Sequence, residues 1–156
     1  MSPALYLIDT SGLSRILKEQ HRDAWAGQLT SGVIATCPVV ELEFLYSARS
    51  RADRTEKRRM LEAVFGWVPI SDDAYERADE VQHALTERGQ HRCTGPVDLL
   101  IAATAERERL ILLCDDPDLG VVASVTGQPV RRVIDPPRPG SAAQARRIRE
   151  AGEEDD

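Results

Sequence analysis

A chain of 156 residues, 42% hydrophobic and 29% charged, has the size and balance of one soluble domain with a core of its own. Its net charge of −6 argues against nonspecific nucleic-acid binding, and 4% aromatic residues argue against a base-stacking platform. No apolar run reaches the length of a membrane span, no basic segment with a signal core opens the chain, and the three cysteines (Cys37, Cys93, Cys114) form no CxxC; a cytoplasmic protein without a disulfide framework or zinc site is expected.

In chain order, apolar strand-like runs alternate with helical patterns. "ALYLI" (4–8) reads as a buried strand, followed by a helix near 12–20. "GVIAT" (32–36) is a second strand, followed by a helix that Pro38 opens. A charged helix spans roughly 52–64, and "WVPI" (67–70) is a short strand. Residues 72–89 form an amphipathic helix with Ala78, Val81 and Leu85 on one stripe and Gly89 as its stop. Pro96 opens the next helix, "LILL" (110–113) is a strand, 118–127 is a helix ending at Gly127, and "VRRVI" (130–134) is the last strand. This alternation predicts an α/β fold: a single domain over 1–135 with a mainly parallel sheet flanked by helices on both faces. Residues 136–156 read as a polar tail, flexible or helical.

The residues able to do chemistry fall at the carboxyl ends of strands, where open α/β sheets bind ligands. Asp9 follows the first strand; Asp115, Asp116 and Asp118 follow "LILL"; Asp98 lies in the first turn of the Pro96 helix. Each has a structural explanation. Asp9, Thr10 and Ser11 are good helix caps, Asp98 favours a helix dipole, and "CDDPDL" is a turn in which Asp118 can cap the next helix. Yet Asp98 is followed by "LLIAATA", seven uncharged residues, which places it at the mouth of the core. In "PVVELEFLYSA" the helix reads as largely buried, so an acid there needs a partner; the helical wheel leaves Glu41 and Glu43 equal. Acids meeting at one edge, with few Lys or Arg to neutralise them, call for protons or a hard divalent cation with oxygen ligands. Residues 49–59, "RSRADRTEKRR", hold six basic and two acidic residues, either a solvated helix face or a grip for a polyanion.

The motifs "LIDTS", "CPVVELEFLYSAR", "GPVDLLIAATA" and "LLCDDPDLGVVASVTGQPV", in this order and spacing, resemble the PIN domain, and more closely the VapC-type toxins of bacterial toxin–antitoxin pairs. The resemblance covers residues 4 to about 135 and departs from the family pattern at Cys114 and Leu119. It implies a metal-dependent endoribonuclease with catalytic acids Asp9, Glu43, Asp98 and Asp116. Of these, Asp9, Asp98 and Asp116 would hold Mg²⁺ or Mn²⁺; the resemblance selects Glu43 over Glu41, Ser11 or Thr10 as a supporting polar residue, and Asp118 as auxiliary. Water would attack phosphorus in line. Arg49, Arg51, Arg54, Arg58 and Arg59 would hold the RNA, a transfer or ribosomal RNA. The family further implies a VapB-type antitoxin and a homodimer. A catalytically silent PIN-fold binding module is the competing expectation. A phosphoacceptor receiver domain is disfavoured, because one acid follows the first strand and the only lysines are Lys18 and Lys57.

Overall fold

The strands read from the sequence pair into one five-stranded parallel sheet in a computed structural model, which describes residues 3–138. They are β1 (Tyr6–Ile8), β2 (Ile34–Thr36), β3 (Gly66–Trp67), β4 (Ile111–Cys114) and β5 (Val130–Arg132), in the order β3-β2-β1-β4-β5. Tyr6 stands opposite both Ile34 and Ile111, and Leu112 opposite Val130. β1 and β2 are buried at every position, which is why they read as unbroken apolar runs rather than alternating ones. The helices around the sheet are α1 (Thr10–Ile16), α2 (Glu19–Ala24), α3 (Ala26–Ser31), α4 (Pro38–Tyr46), α5 (Arg51–Val64), α6 (Asp72–Glu87), α7 (Pro96–Arg107) and α8 (Leu119–Thr126).

The strand order creates the site. From β1 the chain steps through β2 to β3 on one side, then returns across the sheet to β4 and β5 on the other. The direction reverses between β1 and β4, so a crevice opens outside their carboxyl ends. Asp9 follows β1 directly, and its N–H donates to the Leu113 carbonyl of β4 at 3.0 Å. Asp115 and Asp116 follow β4 directly.

α7 runs through the centre of the molecule. Leu99 to Ala105 are buried without interruption, as "LLIAATA" foretells. Gln128 donates to the Ala102 carbonyl at 2.9 Å, and Arg77 of α6 holds Glu106 of α7 with two hydrogen bonds at 2.9 and 3.0 Å.

Most element ends differ from the sequence reading by one or two residues, and three differences have a clear physical reason. The helix expected near 12–20 is two pieces: α1 ends at Ile16 and α2 starts after Lys18, with α3 following unannounced. α2 and α3 bury none of their own residues, so no apolar period marks them. Trp25, between them, is fully buried; its indole donates to the Val133 carbonyl at 2.8 Å and meets the Tyr6 ring edge-on at 5.5 Å. Trp25→Phe leaves that carbonyl unpaired beside a small void, a cost of about 2 kcal/mol. A thermal melt should show the midpoint several degrees lower; an unchanged midpoint would show that Trp25 does not pin this segment. β3 is shorter than 67–70 because Pro69 has no N–H for the ladder, and β5 ends at Arg132 rather than 134. Of the expected polar tail, 139–156 lies outside the described residues; among the described residues no helix is long and apolar enough to cross a membrane.

Candidate metal centre

Asp9 caps the helix that follows it, as its sequence setting suggests. Its backbone is extended (φ −83°, ψ 175°), and its carboxylate caps α1 by accepting from the Gly12 N–H at 2.6 Å. The Ser11 hydroxyl lies 2.9 Å from both carboxylate oxygens and also accepts from the Asp115 N–H at 3.1 Å. Ser11, not Thr10, is therefore the supporting hydroxyl; the Thr10 oxygen is buried without a partner. Asp9 is 1% exposed. Burial raises its pKa, the bonds from Gly12 and Ser11 oppose the rise, and the charges of Asp98 and Asp116 add to it, for a value of about 6 in all.

Asp98 sits half-buried in the first turn of α7. Thr94 donates to it at 3.2 Å, and the Gly95 N–H also reaches it. Burial lifts its pKa, the Thr94 bond opposes that, and Asp116 adds to it. Asp116 accepts from the Asp118 N–H at 2.8 Å, which closes the turn after β4. Asp118 is exposed and stands at the head of α8, but its side chain makes no capping bond, contrary to the turn-and-cap reading. Asp116 and Asp118 both act on Cys93, so the loop before α7 borders the acids.

Asp115 takes another course. Its carboxylate pairs with Arg15 of α1 at 3.0 Å and lies 3.8 Å from Arg132. Arginines thus do reach this edge, but they engage Asp115 and leave the other three acids facing one another.

α4 corrects the sequence reading. The helix is not largely buried: Val40 and Leu45 are its buried residues, Leu42 is 63% exposed and Tyr46 92%. Glu43 is exposed and has no hydrogen bond or ion pair among the described residues, so the buried-acid reasoning does not hold for it. Its charge acts on Cys37, just before α4. Glu41 is the half-buried one, held by the Thr36 hydroxyl at 3.0 Å and by Arg58. Arg58 is consequently committed to the fold rather than free for a polyanion. Arg49, Arg51, Arg54 and Arg59 are exposed at the start and outer side of α5.

The donors facing one another are carboxylate oxygens, the chemistry preferred by hard divalent cations. Among the described residues no three Asp, Glu, His or Cys side chains lie at coordination spacing. The donor set fits Mg²⁺ or Mn²⁺ by its chemistry. Thr94, Gly12, Arg15 and Arg132 escaped the sequence reading; Gly12, directly after "LIDTS", alone carried a local signal.

Comparison with known proteins agrees with this fold. A family model described as the PIN domain matches residues 6–125. The chain is 37% identical over 135 residues to Ribonuclease VapC21 of Mycobacterium tuberculosis, covering 84% of this chain and 95% of that protein. It is 34% identical over 145 residues to Ribonuclease VapC2 of the same organism, covering 91% and 100%. Among solved structures, VapBC2 from Rickettsia felis bound to a promoter DNA fragment shares the fold, with a TM-score of 0.67 at 18% identity, covering 81% of this chain and 97% of that one.

Proposed function

This chain belongs to the PIN domain family as a VapC-type toxin ribonuclease, and we propose that it is an endoribonuclease dependent on Mg²⁺ or Mn²⁺. One observation carries the reading: acids from three distant parts of the chain, Asp9, Asp98 and Asp116, converge at the point where the strand order reverses, close enough that Asp98 and Asp116 both raise the proton affinity of Asp9.

Asp9, Asp98 and Asp116 would hold the cation, with Glu43 as an outer acid reaching in from α4. The bound cation would supply positive charge against the phosphoryl oxygens and lower the pKa of water. The chain's own part is orientation. Gly12 and Ser11 fix both oxygens of Asp9, Thr94 fixes one oxygen of Asp98, and the Asp118 N–H fixes one of Asp116. Water is the nucleophile in this scheme, so no covalent enzyme–RNA link forms. Arg49, Arg51, Arg54 and Arg59 are placed to hold phosphates of a transfer or ribosomal RNA, each contact weakening as salt rises.

Two partners follow. The related Rickettsia felis toxin is seen with its antitoxin, and an acidic crevice attracts a cationic side chain for the same reason that it attracts a metal; a VapB-type protein is the expected inhibitor. Exposed Leu42 and Tyr46 on α4, Tyr75 on α6 and Val97 on α7 are large apolar groups that pairing of two copies would cover. Tyr75, Val97, Ala78 and Leu100 also line an apolar cavity of about 290 Å³. Action in the cytoplasm accords with such an RNA target.

The test is incubation of total cellular RNA with antitoxin-free protein in Mn²⁺, in Mg²⁺ and in EDTA. Discrete fragments that vanish with EDTA are expected, and end-mapping them would identify the RNA. Cleavage undiminished by EDTA would overturn the metal dependence. No cleavage under any condition would leave a silent binding module.

A further inference from the structure

Asp115 and Asp116 are chemically identical neighbours at the end of β4, yet the fold treats them differently. The backbone N–H and carbonyl of Asp115 are both hydrogen-bonded, and its carboxylate lies at ion-pair distance from two arginines, although its buried Oδ1 accepts no hydrogen bond. Its N–H donates to the Ser11 hydroxyl at 3.1 Å. Its carbonyl accepts from Arg132 twice, from Nε at 3.1 Å and from Nη2 at 2.6 Å. Its carboxylate faces Arg15 Nε at 3.0 Å, with Arg132 Nη2 at 3.8 Å. Ser11 in turn donates to Asp9. A continuous chain of contacts therefore runs from Arg132 of β5 through Asp115 and Ser11 to Asp9, with Arg15 of α1 closing its other side. Asp116 lies one residue further along, a Cα step of about 3.8 Å.

We propose that Arg132 and Arg15 are positioning residues: they lock Asp115 so that Asp116, and not Asp115, is presented to the metal at a fixed distance from Asp9. The inference rests on the metal-centre reading above. Two features favour it over a plain surface ion pair. Side chains of Arg15, Asp115 and Arg132 are 32%, 23% and 38% exposed, so these pairs add little to stability, less than about 1 kcal/mol each. And the two-pronged bond from Arg132 goes to the backbone carbonyl of Asp115, which fixes the direction of the chain entering Asp116 rather than merely neutralising a charge. Neutralisation is a second effect: without it Asp115 would add another negative charge to the cluster.

The probe is Mn²⁺ alone, titrated against the full chain and followed by the free-ion paramagnetic resonance signal, beside a thermal melt without metal. Arg132→Ala should raise the Mn²⁺ dissociation constant about 10- to 100-fold, the range typical when a group that orients metal ligands is lost. Its metal-free melting midpoint should stay within about 2 °C of the parent, as expected of an exposed pair. Arg132→Lys keeps the charge without the two-pronged bond and should fall between. Cleavage by Arg132→Ala should recover partly at saturating Mn²⁺. An Mn²⁺ constant within twofold of the parent, or a lowered midpoint with unchanged Mn²⁺ affinity, would overturn the lock. If the parent itself takes up no Mn²⁺, the metal-centre reading falls with it; if the parent binds and cleaves and the variant matches it, only the lock falls.

Discussion

Asp9→Asn will lose almost all cleavage of RNA and will nevertheless be more stable than the parent above pH 6. Both effects have one source. The Asp9 carboxyl is buried and faces Asp98 and Asp116, so its proton affinity rises, from a pKa of 3.8 to about 6. A raised carboxyl pKa means that the folded state holds the proton more tightly than the unfolded chain. The associated stability is fully present below about pH 4 and is lost as the pH climbs through about 6. At neutral pH the ionised Asp9 therefore costs the metal-free fold at most about 3 kcal/mol. Asn is nearly the same shape, can still accept from Gly12, and carries no charge to desolvate. Thermal melts of both proteins from pH 4 to 8, without metal, should show midpoints that nearly coincide at the acid end and separate in favour of the variant through pH 5–6.5. Mn²⁺ should raise the parent's midpoint and leave the variant's unmoved. Cleavage should drop by at least about 10³-fold, because several kcal/mol of charge stabilisation depend on the metal. A midpoint difference that stays flat across this pH range would remove the electrostatic account of the cluster. Metal-dependent cleavage by the variant at the parental rate would remove Asp9 from the metal centre.

The parts of this fold that were legible in the sequence are those governed by local rules. Strands buried in a parallel sheet must be apolar throughout, so Tyr6–Ile8 and Ile111–Cys114 announce themselves, and the acids that follow them fall by topology at one edge. Pro38 and Pro96 mark helix starts, and Gly127, at φ 72°, marks a stop. What was illegible depends on contacts between distant residues. No spacing rule reveals that Arg15 and Arg132 take Asp115, or that Thr36 and Arg58 take Glu41 and leave Glu43 exposed. α4 misled for a more general reason. A helix rich in Val, Leu, Phe and Tyr reads as buried, but the pattern does not say what buries it, and here Leu42 and Tyr46 face outward. α2 and α3 failed the other way, since the segment is anchored by one residue, Trp25, which belongs to neither.

Gly12→Ala should damage the fold and the site together, although it adds a single methyl group to a helix. In most helices that change is favourable by up to about 1 kcal/mol. At position 12, however, a Cβ would lie 2.7 Å from the Leu113 carbonyl oxygen of β4, 3.0 Å from Asp9 Oδ1 and 3.0 Å from the Ile8 side chain. The first of these is backbone in the middle of the sheet and has no rotamer by which to escape. α1 must tilt away from β4, and the Gly12 N–H, which holds Asp9 at 2.6 Å, moves with it. Overpacking of this kind costs roughly 1–3 kcal/mol, or about 2–9 °C in melting midpoint for a chain of this size. Gly27→Ala is the matched control: it lies in α3 with nothing within 4 Å of the added carbon, and should be neutral or slightly stabilising. The discriminating measurement is activity at a temperature where both variants remain folded. Gly12→Ala should have lost Mn²⁺ affinity and cleavage by at least tenfold there, because the carboxylate it displaces is a proposed ligand. A variant that melts early but binds Mn²⁺ and cleaves normally would mean that Gly12 serves packing alone. One that melts like Gly27→Ala would mean that the approach of α1 to β4 has slack that the 2.7 Å contact denies.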